Sequence, residues 1–277
     1  MSGRLFAISD LHVSHRENLE VLEGLHPESA GDWLIVAGDV AETVDGVAAA
    51  LRVLAARFET VIWVPGNHEL WTTPRDPVTA RGRTRYESLV RLCRGLGVLT
   101  PEDDFPVWRG RDGQVTIAPL FVLYDYSFLP PGADNPVRGL EIAKAAGVVC
   151  TDEYLLHPDP YDSRAQWCAA RLAYTERRLS AIEGLTVLVN HFPLIRYPTR
   201  VLRYPEFAQW CGTVRTADWP VRFNAAAVVY GHLHIPRTIV QDGIPHYEVS
   251  LGYPREWQRR VIPRRWLREV LPQRDTA

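Results

Sequence analysis

The chain has 277 residues, 46% hydrophobic and 23% charged, with a formal net charge of −2. These values belong to an ordinary folded globular protein and exclude disordered, collagen-like and disulfide-scaffold classes. No run of about 18 apolar residues occurs, so no membrane-spanning helix is expected. Only four apolar residues, Leu5 to Ile8, stand between Arg4 and Ser9-Asp10. A secretory signal needs about 7–15, so no targeting segment is expected and a cytoplasmic location is. Cys93, Cys150, Cys168 and Cys211 are widely separated without a C-x-x-C pair, which predicts reduced, buried thiols. The charge is uneven: from Arg196 onward there are thirteen arginines against seven acidic residues. Lys144 is the only lysine, so the arginine bias is chain-wide. A basic C-terminal third would still suit a partner with an acidic face.

Along the chain, Arg4–Ser9, Trp33–Ala37 and Thr60–Val64 read as short buried strands. Between the last two, Val44, Val47, Leu51, Leu54, Ala55 and Phe58 follow helical spacing. This strand–helix–strand alternation predicts an α/β chain with helices packed on a sheet. Thr84–Arg94 is a predicted helix. Val115–Ala118 and Phe121–Leu123 are predicted strands split by Pro119, and Pro130–Asn135 a loop. Asp162 or Ser163 is placed to cap a helix with Cys168, Leu172, Thr175, Leu179 and Ile182 inward. Thr186–Val189, Ala226–Tyr230, Thr238–Val240 and Tyr247–Val249 follow as strands, the last two joined by a turn at Asp242–Gly243. With no repeat, linker or low-complexity tract, one domain over residues 1–277 is expected.

Five polar clusters each follow a predicted strand: Asp10-Leu11-His12, Gly38-Asp39-Val40-Ala41-Glu42, Gly66-Asn67-His68-Glu69, Asn190-His191 and Gly231-His232-Leu233-His234. Side chains at strand ends converge on one sheet edge. Carboxylate, imidazole and amide oxygen without thiolate suit manganese, iron or zinc. In an extended strand end, residues i and i+2 share a side, so Asp10 and His12 are expected to reach one ion. His232 and His234 leave a turn and either share an ion or diverge onto two. Gly38, Gly66 and Gly231 each precede a candidate ligand, where glycine permits a sharp turn and close approach.

The order D-x-H, G-D-x-x-E, G-N-H-E, N-H and G-H-x-H resembles the calcineurin-like metallophosphoesterase superfamily. That resemblance implies a sandwich of two mixed β-sheets flanked by helices, with two metal ions at the strand ends. It assigns Asp10, His12, Asp39 and His234 to the first ion and Asn67, His191 and His232 to the second, with Asp39 bridging. It gives His68 a catalytic role near the leaving group, partnered by Glu42, where some relatives carry Asp. Glu69 is expected to be structural. Two cations about 3.5–4 Å apart would clamp the phosphoryl oxygens and lower the pKa of an attacking water. His68, kept cationic by Glu42, would protonate the departing oxygen.

The stretches VIWVPGNHELWTT (61–73), LYDYSFL (123–129), YPEFAQWCGTVRTADW (204–219), GHLHIPR (231–237) and GYPREW (252–257) are similar to those of actinobacterial 4′-phosphopantetheinyl hydrolases. This resemblance implies that holo-acyl carrier protein is the substrate, cleaved at the phosphodiester to its serine. Carrier proteins of this kind are acidic around that serine. Arg196, Arg200, Arg203, Arg255, Arg259 and Arg260 are candidates for a docking face, and each also reads as an ordinary solvated side chain. Trp71, Tyr124, Tyr126 and Trp210 read equally as lining of a pantetheine channel or as core. The alternatives are a phosphodiesterase of cyclic or other small nucleotides and a non-catalytic metal-binding scaffold. Neither nucleic acid nor a membrane is expected as a partner, since no basic stripe with interleaved aromatics is present and the pI is about 6.5.

Overall fold

A computed structural model describes residues 3–110, 113–260 and 265–272. Strands β1 (Leu5–Ile8), β2 (Trp33–Val36) and β3 (Thr60–Trp63) pair in parallel, in that order. Strand β10 (Arg268–Leu271) adds antiparallel to the free edge of β1, giving the order β10-β1-β2-β3. The second sheet contains β4 (Val107–Gly110), β5 (Gly113–Pro119), β6 (Thr186–Val189), β7 (Ala225–Tyr230), β8 (Arg237–Gln241) and β9 (Ile244–Glu248). Its order is β4-β5-β6-β7-β9-β8, with a parallel centre and an antiparallel strand at each edge.

The central strands show no polar alternation because both of their faces are covered. Alternate residues divide between two apolar layers. Leu5, Ala7, Ile35 and Ile62 meet Ile117, Val187, Ala227 and Val229 between the sheets. Phe6, Ile8, Leu34, Val36 and Trp63 belong to a second cluster with Val47, Leu51 and Leu54 of helix α2 (Val44–Ala55). That cluster also joins Ala118, Leu188 and Val228 to Trp167, Cys168, Leu172 and Leu179 of helix α6 (Arg164–Leu179). The result is the expected sandwich of two mixed sheets flanked by helices. Thr43 and Ser163 cap α2 and α6, accepting from Gly46 N and Gln166 N, so Ser163 rather than Asp162 starts the latter.

The two sheets are stitched together where β1 ends. Ser9 N donates to Val249 O at 3.0 Å and Leu251 N to Ser9 O at 2.8 Å. This join carries Asp10, at the end of the first sheet, against the turn that follows β7 in the second. The four cysteines are buried and free, as expected. Among the described residues, no helix is long and apolar enough to cross a membrane.

Phe121–Leu123 is not a strand. Leu120 N still bonds Val189 O, but Val122 pairs instead with a side chain. Asn190 Oδ1 accepts from Val122 N at 3.0 Å and Asn190 Nδ2 donates to Val122 O at 3.2 Å. The amide takes the place of a neighbouring strand. Further elements absent from the expectations are α1 (Arg16–Glu23), α4 (Pro136–Ala145), β4 and β10. Helix α4 does carry a readable start: Asn135 caps it, accepting from Arg138 N, with Pro136 following.

Arg85, on helix α3 (Gly82–Gly95), is a buried brace beneath the polar edge. Its guanidinium donates to Asp76 Oδ2 (2.7 Å) and to the carbonyls of Glu69 (2.6 Å) and Glu42 (3.1 Å). Arg85→Met would leave the buried Asp76 carboxylate without its cation and is expected to cost about 3–5 kcal/mol in urea unfolding. The Arg85→Met/Asp76→Asn pair should recover part of that loss. A change within about 0.5 kcal/mol for the single variant would show that the brace carries no stability.

Candidate metal centre

The five clusters converge where the sheets are stitched. One group comprises Asp10, His12 and His234. His234 Nε2 lies 3.0 Å from Asp10 Oδ1 and 3.2 Å from His12 Nε2. A second comprises Asp39, His191 and His232. His191 Nε2 lies 3.5 Å from Asp39 Oδ2, and Asn67 Oδ1 lies 3.3 Å from His191 Nε2. Asp39 Oδ2 is also 4.0 Å from His12 Nε2, so this carboxylate stands between the two groups. His232 and His234 therefore diverge, one to each group.

The backbone does this with left-handed residues in three of the five clusters. Asp10, His12, Asp39, His232 and His234 have φ of +53, +40, +54, +70 and +56°. Non-glycine residues rarely adopt this region, and a side chain held there marks a constraint that the surroundings impose. The extended geometry expected for Asp10 and His12 is thus replaced by two positive-φ residues. The strand-like bonds Asp10 N to Gly38 O and His12 N to Asp39 O fix them.

The glycines act differently from the expectation in two cases. Gly38 does occupy a turn, at φ +90°. Gly66 and Gly231 show no positive φ. A Cβ on Gly66 would lie 2.0 Å from Asp39 Oδ1, and one on Gly231 would lie 2.0 Å from Ser9 Oγ and 2.3 Å from Asp10 Oδ2. They keep space for carboxylates rather than for a bend.

Burial opposes charge throughout the centre, and the pairs overcome it. Asp10 is held well below the usual carboxylate range by the adjacent His234, against its desolvation. Asp39 is held low by His191 and His68. In turn burial would lower His191 and His234, but the carboxylates of Asp39 and Asp10 raise them to about 10. His232 is pushed down to about 3, first by burial and then by the charge of His191. The centre therefore concentrates anionic charge against buried imidazoles. His232 Nε2 is buried without a hydrogen-bond partner, an arrangement that costs free energy unless a cation or donor meets it, while His12 Nδ1 faces Glu42 Oε1 at 3.7 Å. Carboxylate, imidazole and amide oxygen without sulfur fit a hard or borderline metal ion.

Asp10, His191 and His234 are held from behind. Ser9 and Ser250 hydroxyls donate to Asp10 Oδ2 (2.5 and 2.7 Å). His191 Nδ1 faces Ala37 O at 2.8 Å and His234 Nδ1 faces Glu256 Oε2 at 2.8 Å. Such backing fixes the tautomer and aims the other nitrogen. Glu69 is structural, accepting from the backbone N–H groups of Asp39, Val40 and Gly66.

Beside the centre, His68 Nδ1 lies 3.2 Å from Glu42 Oε1. Burial works against the His68 charge, but Asp39 and then Glu42 raise its pKa. The indole of Trp71 packs on the imidazole, with ring centroids 3.6 Å apart. A cleft of about 430 Å³ opens over this floor, walled by Trp71, Arg203, Tyr204, Phe207 and Tyr253.

Of the four aromatic residues named from the sequence, only Trp71 lines the cleft. Tyr124 and Trp210 are buried, and their polar ends bond Asp152 and Glu153. Tyr126 likewise bonds Glu153. Tyr204, Phe207 and Tyr253 take the wall instead, within stretches singled out above but with no signal to separate wall from core. Among the arginines, Arg203 reaches the cleft, Arg255 lies over the Tyr253 ring and Arg260 donates to His234 O.

Gly231→Ala forces a methyl into Asp10 and Ser9. Manganese affinity, read by chelator competition, is expected to fall about 10–100-fold with the circular dichroism spectrum unchanged. Unaltered affinity would show that the carboxylate position is irrelevant to metal.

The chain matches the family model described as calcineurin-like phosphoesterase over residues 3–236. It is 58% identical over 258 residues to the [acyl-carrier-protein] phosphodiesterase PptH of Mycobacterium tuberculosis, covering 92% of this chain and 80% of that one. The crystal structure titled phosphopantetheinyl hydrolase (PptH) from Mycobacterium tuberculosis superposes with a TM-score of 0.98 at 57% identity, covering 100% of this chain and 98% of the other. A family match across both sheets, on a chain whose strand ends gather aspartates and histidines into two adjoining groups, has one meaning: this protein belongs to the calcineurin-like phosphoesterase family.

Proposed function

We propose that this chain removes 4′-phosphopantetheine from holo-acyl carrier protein by hydrolysing the phosphodiester to the carrier serine. The observation that carries this reading is the likeness to the Mycobacterium tuberculosis enzyme over the whole chain, cleft wall included, rather than over the motifs alone. In this reading Asp10, His12, Asp39 and His234 hold one metal ion and Asp39, Asn67, His191 and His232 hold the other. Manganese or iron suits the donors, with zinc as the alternative. When bound, two such cations offset charge on the phosphoryl oxygens and acidify a water molecule. The reaction belongs in the cytoplasm, where the four free thiols stay reduced.

The chain's own residues supply the rest. A serine alkoxide is a poor leaving group and needs a proton as the P–O bond breaks. Against the cost of burial, Asp39 and Glu42 favour the charged form of His68 for that task, and Glu42 holds Nδ1 so that Nε2 is left to face the departing oxygen. Trp71 keeps the ring from turning. The aromatic wall offers apolar surface to an extended pantetheine arm.

With manganese or iron, the purified protein is expected to convert holo-carrier protein to its apo form, seen by intact-mass spectrometry as loss of the arm. No mass change, together with brisk hydrolysis of a cyclic nucleotide, would transfer the assignment to small nucleotides. His68→Ala should reduce turnover about 10²–10⁴-fold while metal content stays at the wild-type value. If metal loss accounted for the whole decrease, His68 would be a structural residue.

A further inference from the structure

Asp152 opens the short helix α5 (Asp152–Leu155) and is fully buried. Its Oδ1 accepts from Asn67 Nδ2 at 2.9 Å and from Trp71 Nε1 at 2.7 Å, and its Oδ2 accepts from Tyr124 OH at 2.9 Å. An indole N–H only donates, so Oδ1 has to be an acceptor at this point. The Asn67 atom that meets the same oxygen is therefore the NH₂ group. The other end of the amide, Oδ1, is then the one turned toward His191, 3.3 Å from its Nε2. A side-chain amide is nearly symmetric in shape, and only its hydrogen-bond partners choose between its two orientations. A half-turn would present two hydrogens where a metal ion needs a lone pair.

The carboxylate is itself firmly placed. Arg164 Nη2 donates to Asp152 O at 2.5 Å, and Arg164 Nη1 pairs with Glu153 at 3.0 Å. Glu153 Oε1 accepts from Tyr126 OH (2.9 Å) and Trp210 Nε1 (2.8 Å). Helix α5 is thus pinned on the side away from Asn67, and Asp152 has no freedom to follow a turning amide.

We infer that Asp152 is a positioning residue whose acceptor-only carboxylate fixes the Asn67 amide with its carbonyl oxygen toward the metal centre. This rests on the reading of Asn67 as a ligand.

Manganese alone, titrated into the metal-free full chain and followed by chelator competition, tests it without any substrate. Asp152→Ala is expected to weaken one of two manganese ions about 10–100-fold and to leave the other unchanged. Asp152→Asn should stay near wild type, because its Oδ1 still accepts both bonds and its NH₂ can donate to the Tyr124 oxygen. Asn67→Ala/Asp152→Ala should be no weaker than Asn67→Ala alone. Unchanged affinity in Asp152→Ala, or fully additive losses in the double variant, would overturn the inference. Should Asp152→Ala fail to fold, the zinc-loaded wild type keeps the test open. The side-chain amide protons of Asn67 are expected to be strongly protected from solvent exchange, and free exchange sinks the idea. If Asn67→Ala itself left both affinities intact, the ligand reading would fail and the inference with it. A failed carrier-protein assay alongside these metal results would leave the inference standing.

Discussion

Two buried carboxylates, Asp10 and Asp39, impose the central constraint on this protein. Neither is exposed, and each is placed within a few ångströms of imidazoles rather than of water. An isolated carboxylate at such depth would take up a proton. The surroundings prevent this by supplying His234, His191, serine hydroxyls and backbone N–H groups. The glycines at 66 and 231, the left-handed corners and the braces beneath them follow from the same need. They allow anionic oxygens to approach one another where the sequence would otherwise place a side chain.

Much of this was legible in the sequence because the chemistry is local. A short apolar strand followed by Asp, Asn or His needs no tertiary information to be noticed, and five of them share a pattern. The central strands were legible for the same reason: burial on both faces makes them continuous apolar runs. Strand β10 was not, because its identity comes from a partner about 260 residues away, and its sequence, Arg-Glu-Val-Leu, offers one apolar pair. The false strand at Phe121–Leu123 shows the converse. Its composition suits a strand, but the partner is the Asn190 side chain, which no periodicity reveals.

The supporting residues were the least legible. Asp152 and Glu256 lie outside every metal motif, and each acts by touching a residue that is distant in sequence. The cleft aromatics posed a related difficulty. Tyr124 and Tyr204 have the same composition-level signal, yet one is sealed beneath Asp152 and the other is exposed at the cleft. Depth in the folded chain, not residue type, separates wall from core.

The stitch between Ser9 and the segment after β9 has a temporal side. The side chains of the centre come from both ends of the polypeptide, with His234 bonded to Asp10 across 224 residues and Glu256 behind it. On the ribosome, the first sheet's corners emerge well before the histidines of the second. Until those histidines arrive, Asp10 and Asp39 lack the imidazoles that face them in the folded chain. The nascent chain therefore carries no assembled site with which to capture a metal ion or act on a phosphoester. The site is complete only when the late strands have joined the second sheet, so the same contact that joins the sheets also times its assembly.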